Sequence, residues 1–212
     1  MKLVRYGAKG KELPGIIDSD GNLRSLAGLV NEGSEQFLSD KGLAELGRMN
    51  LSKLPLVPGK PRFGCPVANV SKFVAIGLNY TDHAKETNSP IPKEPIIFMK
   101  ALNCLQGPND NVMLPRGSVK TDWEVELGIV ISKKTRYVTK GNALDHVAGY
   151  VLVNDVSERE FQAERGPQWD KGKGCDTFGP VGPYLVTRDE VKDPQNLELW
   201  LDVNGKRMQT GN

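Results

Sequence analysis

Short runs of alternating apolar and polar residues recur along this chain, and they predict strands before anything else. "KLVRYG" and "LPGIIDSDGNLRSL" read as strands, the second an antiparallel pair turning at Asp20-Gly21, where glycine tolerates the positive φ of a tight hairpin. "LAGLVNEGSEQFLSDKGLAELGRM" instead spaces its apolar residues at helical intervals, with Ser39-Asp40 as the start of its second piece. Residues 1–55 therefore predict a small N-terminal α+β domain. "LPLVPGKPRFGCPV" holds four prolines in fourteen positions, which forbids regular pairing and predicts an extended linker over 56–67.

Beyond the linker, "KFVAIGLNY", "PIIFMK", "WEVELGIVIS", "AGYVLVNDVS", "GPYLVTRDE" and "LELWLDVNGKRM" are strand-like runs parted by Gly, Pro and Asn turns. They predict a β-rich domain over 68–212, so the fold class is α+β and mainly β. Two helical pieces interrupt it: "TDHAKETNS", opened by the capping types Thr81 and Asp82, and "SEREFQAERGPQWDKGKG" before a glycine-rich loop. The last segment predicts a hairpin with an Asn204-Gly205 type I′ turn. The sequence ends within or just after its return strand.

Composition narrows the functional classes. A net charge of +2 over 212 residues gives no dedicated nucleic-acid or membrane surface and suits a small or acidic ligand. Twenty-three glycines and fourteen prolines favour a turn-rich β protein over a helical bundle. Cys65, Cys104 and Cys175 are odd in number and far apart, so neither a disulfide framework nor a zinc site is indicated. With no secretory leader pattern at the start and no long apolar stretch, a cytoplasmic location is expected.

The candidate chemistry begins at "TDWEVELGIVIS". Strand parity puts Asp122, Glu124 and Glu126 on one face and Trp123, Val125 and Leu127 on the other. Carboxylates so close repel unless water, a proton or a cation lies between them, and Mg2+ chooses oxygen ligands of this kind. A solvated strand face is the simpler reading of the pair alone. Asp155, at the end of the apolar run "GYVLV", adds a third carboxylate and makes a three-acid site credible. His83 and Glu86, three apart on a short helix, share a face, and an imidazole beside a carboxylate can take a proton from water; an incidental surface pair is the alternative. "GKGCDTFGPVGP" lacks the spacing and the following helix of a phosphate loop, although Lys171 or Lys173 could reach an anion. His146 reads as structural.

Taken in order, "GLNYTDHAKE", "PIIFMK", "DWEVELGIVI", "GYVLVNDVSEREFQ", "WDKGKGCDTFGPVGP" and "VNGKRMQTGN" resemble the fumarylacetoacetate hydrolase (FAH) family over residues 68–212. The N-terminal residues loosely resemble the small domain of its bacterial members. The resemblance implies a β-roll catalytic domain and a divalent metal, Mg2+ or Mn2+ with Ca2+ as a further option, on Glu124, Glu126 and Asp155. It implies a water-activating His83–Glu86 dyad on a lid, Lys173 beside the substrate, Arg159 and Gln162 lining the pocket, and Lys100 as a further substrate-binding residue. It also implies a homodimer acting on a small keto or diketo acid. Family members usually continue past the "QTGN" hairpin into further strands, so this chain is expected to be part of a longer protein, with an incomplete barrel and pocket. The expected activity is hydrolytic carbon–carbon cleavage of an acylpyruvate-like β-diketo acid. An isomerase of a 2-hydroxy-diene dioate, a lyase or decarboxylase, and a non-catalytic keto-acid binder are the alternatives.

Overall fold

A computed structural model describes residues 1–86 and 88–212; Thr87, inside the predicted "TDHAKETNS" piece, lies outside the described residues. β1 (Lys2–Tyr6), β2 (Leu13–Ile17) and β3 (Leu23–Ser25) form an antiparallel meander, with Gly21 at φ 82° between the last two. α1 (Asp40–Gly47) starts where Ser39 predicts, the Ser39 hydroxyl accepting from the Gly42 N–H at 3.1 Å. Residues 26–38, expected to continue the helical pattern, make turns instead. Gly28 sits at φ 77°, which no right-handed helix contains, and the Leu26 N–H is taken by the Pro14 carbonyl beside the meander.

Residues 56–67 lie against the meander, Leu56 bridging Arg24 and Phe63 bridging Tyr6, and after them come β4 (Val74–Gly77), α2 (Thr81–Glu86), β5 (Ile96–Met99), β6 (Leu105–Gln106), β7 (Thr121–Asp122) and β8 (Val125–Ile131). β9 (Val147–Asn154), β10 (Ser157–Glu158), α3 (Asp170–Lys173), β11 (Gly179–Thr187), β12 (Leu199–Val203) and β13 (Lys206–Gly211) complete the chain. "SEREFQAE" contributes one π-helical stretch, Glu160–Glu164.

The main sheet has the order β3-β2-β1-β11-β9-β8, with β6 added to β11. It therefore runs without a break across the expected linker, because β1 pairs with β11. Leu3 and Ile16 from the first strands pack with Leu46 of α1 and with Val151, Val153, Val181 and Leu185 of β9 and β11 in one core. β9 is buried at every position from Val147 to Val153 except Leu152. Gly149 is required in it: a Cβ there would come within 2.2 Å of the Val186 carbonyl oxygen. Among the described residues no helix is long and apolar enough to cross a membrane.

Among the described residues three two-stranded ribbons, β4–β5, β7–β10 and β12–β13, stand outside the main sheet. The β4–β5 ribbon turns Phe98 inward against Trp169, ring centroids 5.5 Å apart. The β12–β13 hairpin turns at Asn204 (φ 51°) and Gly205 (φ 78°), the type I′ signature the sequence predicts, and packs beside β8.

Candidate active site

The strand predicted over 121–132 is two strands. β7 pairs with β10 and β8 with β9, the chain changing partner at Trp123-Glu124. Val125 faces Asn154, the last residue of β9; the Asp155 N–H then donates to the Glu124 carbonyl at 2.8 Å, and the Glu124 N–H donates to Asn154 Oδ1 at 3.1 Å. The ladder thus outlasts the strands by one step. This holds Glu124 and Asp155 opposite each other at the end of the sheet, with Glu126 following on the rigid part of β8. Asp122, expected on the same face, is joined to Glu124 through Arg159, whose Nη2 contacts Asp122 Oδ2 at 2.8 Å and Glu124 Oε1 at 2.7 Å.

Cations surround the acids. Lys173, delivered by α3 and only 2 % exposed, places Nζ 2.6 Å from Glu124 Oε2 and 3.0 Å from Asp155 Oδ2. Its ammonium also lies 5.1 Å from the centre of the Phe98 ring, whose negative face favours it. Lys100, 1 % exposed, reaches Asp155 Oδ1 at 2.6 Å from behind and donates to the carbonyls of Val156 and Lys173. Trp169 shields α3 by lying over Gly77, where a Cβ would meet its ring at 2.5 Å.

The charge balance is uneven across the three acids. The Lys100–Asp155 contact is an ion pair outside hydrogen-bond geometry, and Asp155 Oδ1 is a buried oxygen with no hydrogen-bond partner among the described residues. The Glu126 carboxyl is pushed up to about 7, first by burial and then by the neighbouring Glu124 and Asp155 charges, against the pull of the Asn79 hydrogen bond and Lys173. Three hard oxygen donors, one of them short of positive charge, fit a divalent cation such as Mg2+ or Mn2+. Among the described residues no three acidic, His or Cys side chains already close on one point, because Lys173 stands between Glu124 and Asp155. Lys173 would have to yield part of that contact to a metal.

Of the other predicted residues, Arg159 and Lys100 contact the acids directly. His83 and Glu86 share a face of α2, with Nδ1 and Oε2 4.0 Å apart; the His83 side chain is 38 % exposed and Glu86 80 %. That separation exceeds a hydrogen bond, as catalytic pairs without substrate often do. Arg159 also donates to Gln162 Oε1 at 3.2 Å, so these two form one unit at the edge of the acids. Lys100, expected to touch substrate, lies behind Asp155 instead, enclosed by protein. Lys171 is turned away onto the Arg165 carbonyl. The three cysteines are unpaired thiols.

Three site residues were not singled out from the sequence. Asn79 Nδ2 donates to Glu126 Oε2 at 3.0 Å and ties the start of α2 to the acids. Asn154 extends the ladder as described, and Gln209 grips the backbone of Val125. Asn154 had a signal, a polar residue ending an apolar strand; Asn79 and Gln209 act through contacts far along the chain and had none. Two cavities share no residue with the acid cluster. One of about 310 Å³ lies between Arg5, Glu12, Arg62 and Gln106; the other, about 300 Å³, lies between Asp82 and the β12–β13 hairpin.

Glu124 and Asp155 at the adjoining ends of β8 and β9, with Lys100 and Lys173 buried against them, form the kind of charged cluster that active sites concentrate, and comparison with known proteins agrees. Residues 72–212 match the family described as "Fumarylacetoacetate (FAA) hydrolase C-terminal". The chain belongs to the fumarylacetoacetate hydrolase family. A Burkholderia lata protein named "Putative hydrolase" is 59% identical over all 212 residues, which cover 75% of its length. The structure of maleylpyruvate hydrolase from Sphingobium sp. SYK-6, in complex with manganese(II) ion and pyruvate, matches with a TM-score of 0.80 at 28% identity, covering 100% of this chain and 76% of that one. A 2-hydroxyhepta-2,4-diene-1,7-dioate isomerase from Mycobacterium marinum matches with a TM-score of 0.74 at 31% identity, covering 100% of this chain and 74% of that one.

Proposed function

We propose that this protein is a divalent-metal-dependent hydrolase that cleaves a carbon–carbon bond in an acylpyruvate-like β-diketo acid. The observation that carries the reading is the pairing of Glu124 and Asp155 across the single Lys173 ammonium, with Glu126 beside them on β8. Support comes from the Sphingobium relative, whose structure holds manganese(II) and pyruvate, the kind of keto acid such a cleavage releases. Glu124, Glu126 and Asp155 would hold the cation, Mg2+ or Mn2+. When bound, it supplies Lewis acidity to the oxygens of a chelating keto acid.

The chain's own residues do the rest. Glu86 fixes the His83 ring through Nδ1, which leaves Nε2 to take a proton from water. The hydroxide adds to the distal carbonyl carbon of the substrate. The bond between that carbon and the central carbon breaks, its electron pair passing to the pyruvate side as an enolate, which is then protonated. Lys173 places positive charge where the enolate forms, and Arg159, steadied by Asp122 and Gln162, binds the substrate carboxylate. Lys100 holds Asp155 rather than substrate.

The M. marinum relative supports a second reading, isomerisation of a 2-hydroxy-diene dioate on the same site. A screen of the protein with Mg2+ or with EDTA against acylpyruvates, oxaloacetate and 2-hydroxy-diene dioates tests the proposal. Mg2+-dependent release of pyruvate and an acid from an acylpyruvate is expected. Turnover of the diene dioate alone would favour the isomerase, and turnover undiminished by EDTA would refute the metal dependence.

A further inference from the structure

Val125 lies between Glu124 and Glu126 on β8, the edge strand of the main sheet. Because Glu124 spends its backbone groups on Asn154 and Asp155, the N–H and C=O of Val125 point the other way, toward the edge of β8 on which no described strand is paired. A side chain meets them. Gln209 Oε1 accepts from the Val125 N–H at 2.8 Å, and Gln209 Nε2 donates to the Val125 carbonyl at 3.3 Å, so one carboxamide replaces a strand at this position.

The hairpin is shaped to deliver it. Leu201 faces Gln209, but Asp202 faces Arg207, so Met208 is an extra residue and β13 carries a bulge immediately before Gln209. A bulge re-aims the side chains that follow it, and an unbulged strand would turn this position to the opposite face. Val125 is itself buried, so its backbone cannot drift without moving both acids.

We infer that Gln209 is a positioning residue for the proposed metal site: by clamping Val125 on both sides, it fixes the spacing of Glu124 and Glu126 for a divalent cation. The inference rests on the reading of these acids as metal ligands. Side chains that orient ligands from outside the coordination shell set affinity even though they never touch the metal.

Mn2+ binding, followed by loss of the free-ion EPR signal on titration into the full chain, tests this without relying on turnover. Four proteins are compared: wild type, Glu124→Gln, Gln209→Met, which keeps length but neither hydrogen bond, and Arg207→Ala, which removes the exposed ion pair of the same hairpin with Asp202. The expected result is loss of binding in Glu124→Gln, binding weakened by about tenfold or more in Gln209→Met, and wild-type affinity in Arg207→Ala. If Gln209→Met does not fold, as judged by circular dichroism, Gln209→Asn, too short for both bonds, is read in the same way. Wild-type affinity in the Gln209 variant beside loss in Glu124→Gln would overturn the inference and leave the metal reading intact. Equal weakening in Arg207→Ala would overturn it too, by tracing the effect to the hairpin as a whole. Failure of the wild type to bind Mn2+, or unchanged binding in Glu124→Gln, would remove the metal reading and the inference with it.

Discussion

Replacing Lys173 with Met removes the cation between Glu124 and Asp155 while keeping a side chain of similar length. The ammonium makes contacts of 2.6 and 3.0 Å. At an effective dielectric near 20 these carry a gross attraction of about 12 kcal/mol, most of it offset by the desolvation of the three charges. Breaking such a pair from one side leaves buried carboxylates facing each other, which costs about 3–5 kcal/mol. For a chain of this size that lowers the melting temperature by about 6–20 °C. The assay is thermal unfolding of wild type and Lys173→Met in EDTA and again in excess Mg2+. The variant should lose most of this stability in EDTA and regain a larger share on adding Mg2+ than the wild type gains, because the metal then takes over the role of the lysine. A variant as stable as wild type in EDTA, or one that Mg2+ does not rescue, would refute the argument that Lys173 and the cation serve the same oxygens.

His83→Ala should leave Mn2+ affinity unchanged while lowering kcat by about a hundredfold or more; loss of both together would place His83 among the ligands. Gly77→Val should force the Trp169 ring from its seat at a cost of about 1–3 kcal/mol, and a red-shifted tryptophan emission would report it. Arg62 holds the Asp110 carboxyl below its ordinary value through hydrogen bonds from Nε and Nη2. A depressed carboxyl stabilises the fold above its unfolded value, near 4, and loses that contribution as pH falls through the lower folded one. Wild type should therefore lose more stability on acidification below about pH 4 than Asp110→Asn, measured by urea unfolding; parallel losses would contradict the pairing.

The strand parity of "TDWEVELGIVIS" sets Glu124 and Glu126 on one face, and it is the β8–β9 pairing that brings Asp155 to them. Asp122 stays beside Glu124, joined to it through Arg159, although the chain trades β9 for β10 at Trp123-Glu124. Residues 26–38 were misread because apolar spacing outweighed Gly28, whose positive φ ends any helix. The countercharges were only half legible. Lys173 could be named by resemblance, but its place between two acids, and that of Lys100 behind Asp155, come from tertiary contacts that no local pattern encodes. Gln209 is the extreme case, since a bulge at Met208 decides which way it points.

The reaction itself is tested most directly by running turnover of an acylpyruvate in ¹⁸O-labelled water with Mg2+ present. The account predicts one labelled oxygen in the carboxylate of the released acid, with the pyruvate fragment's own carboxylate unlabelled, and no product in EDTA. Mg2+-dependent conversion of the substrate to an isomer, with no label gained and no bond cleaved, would contradict it.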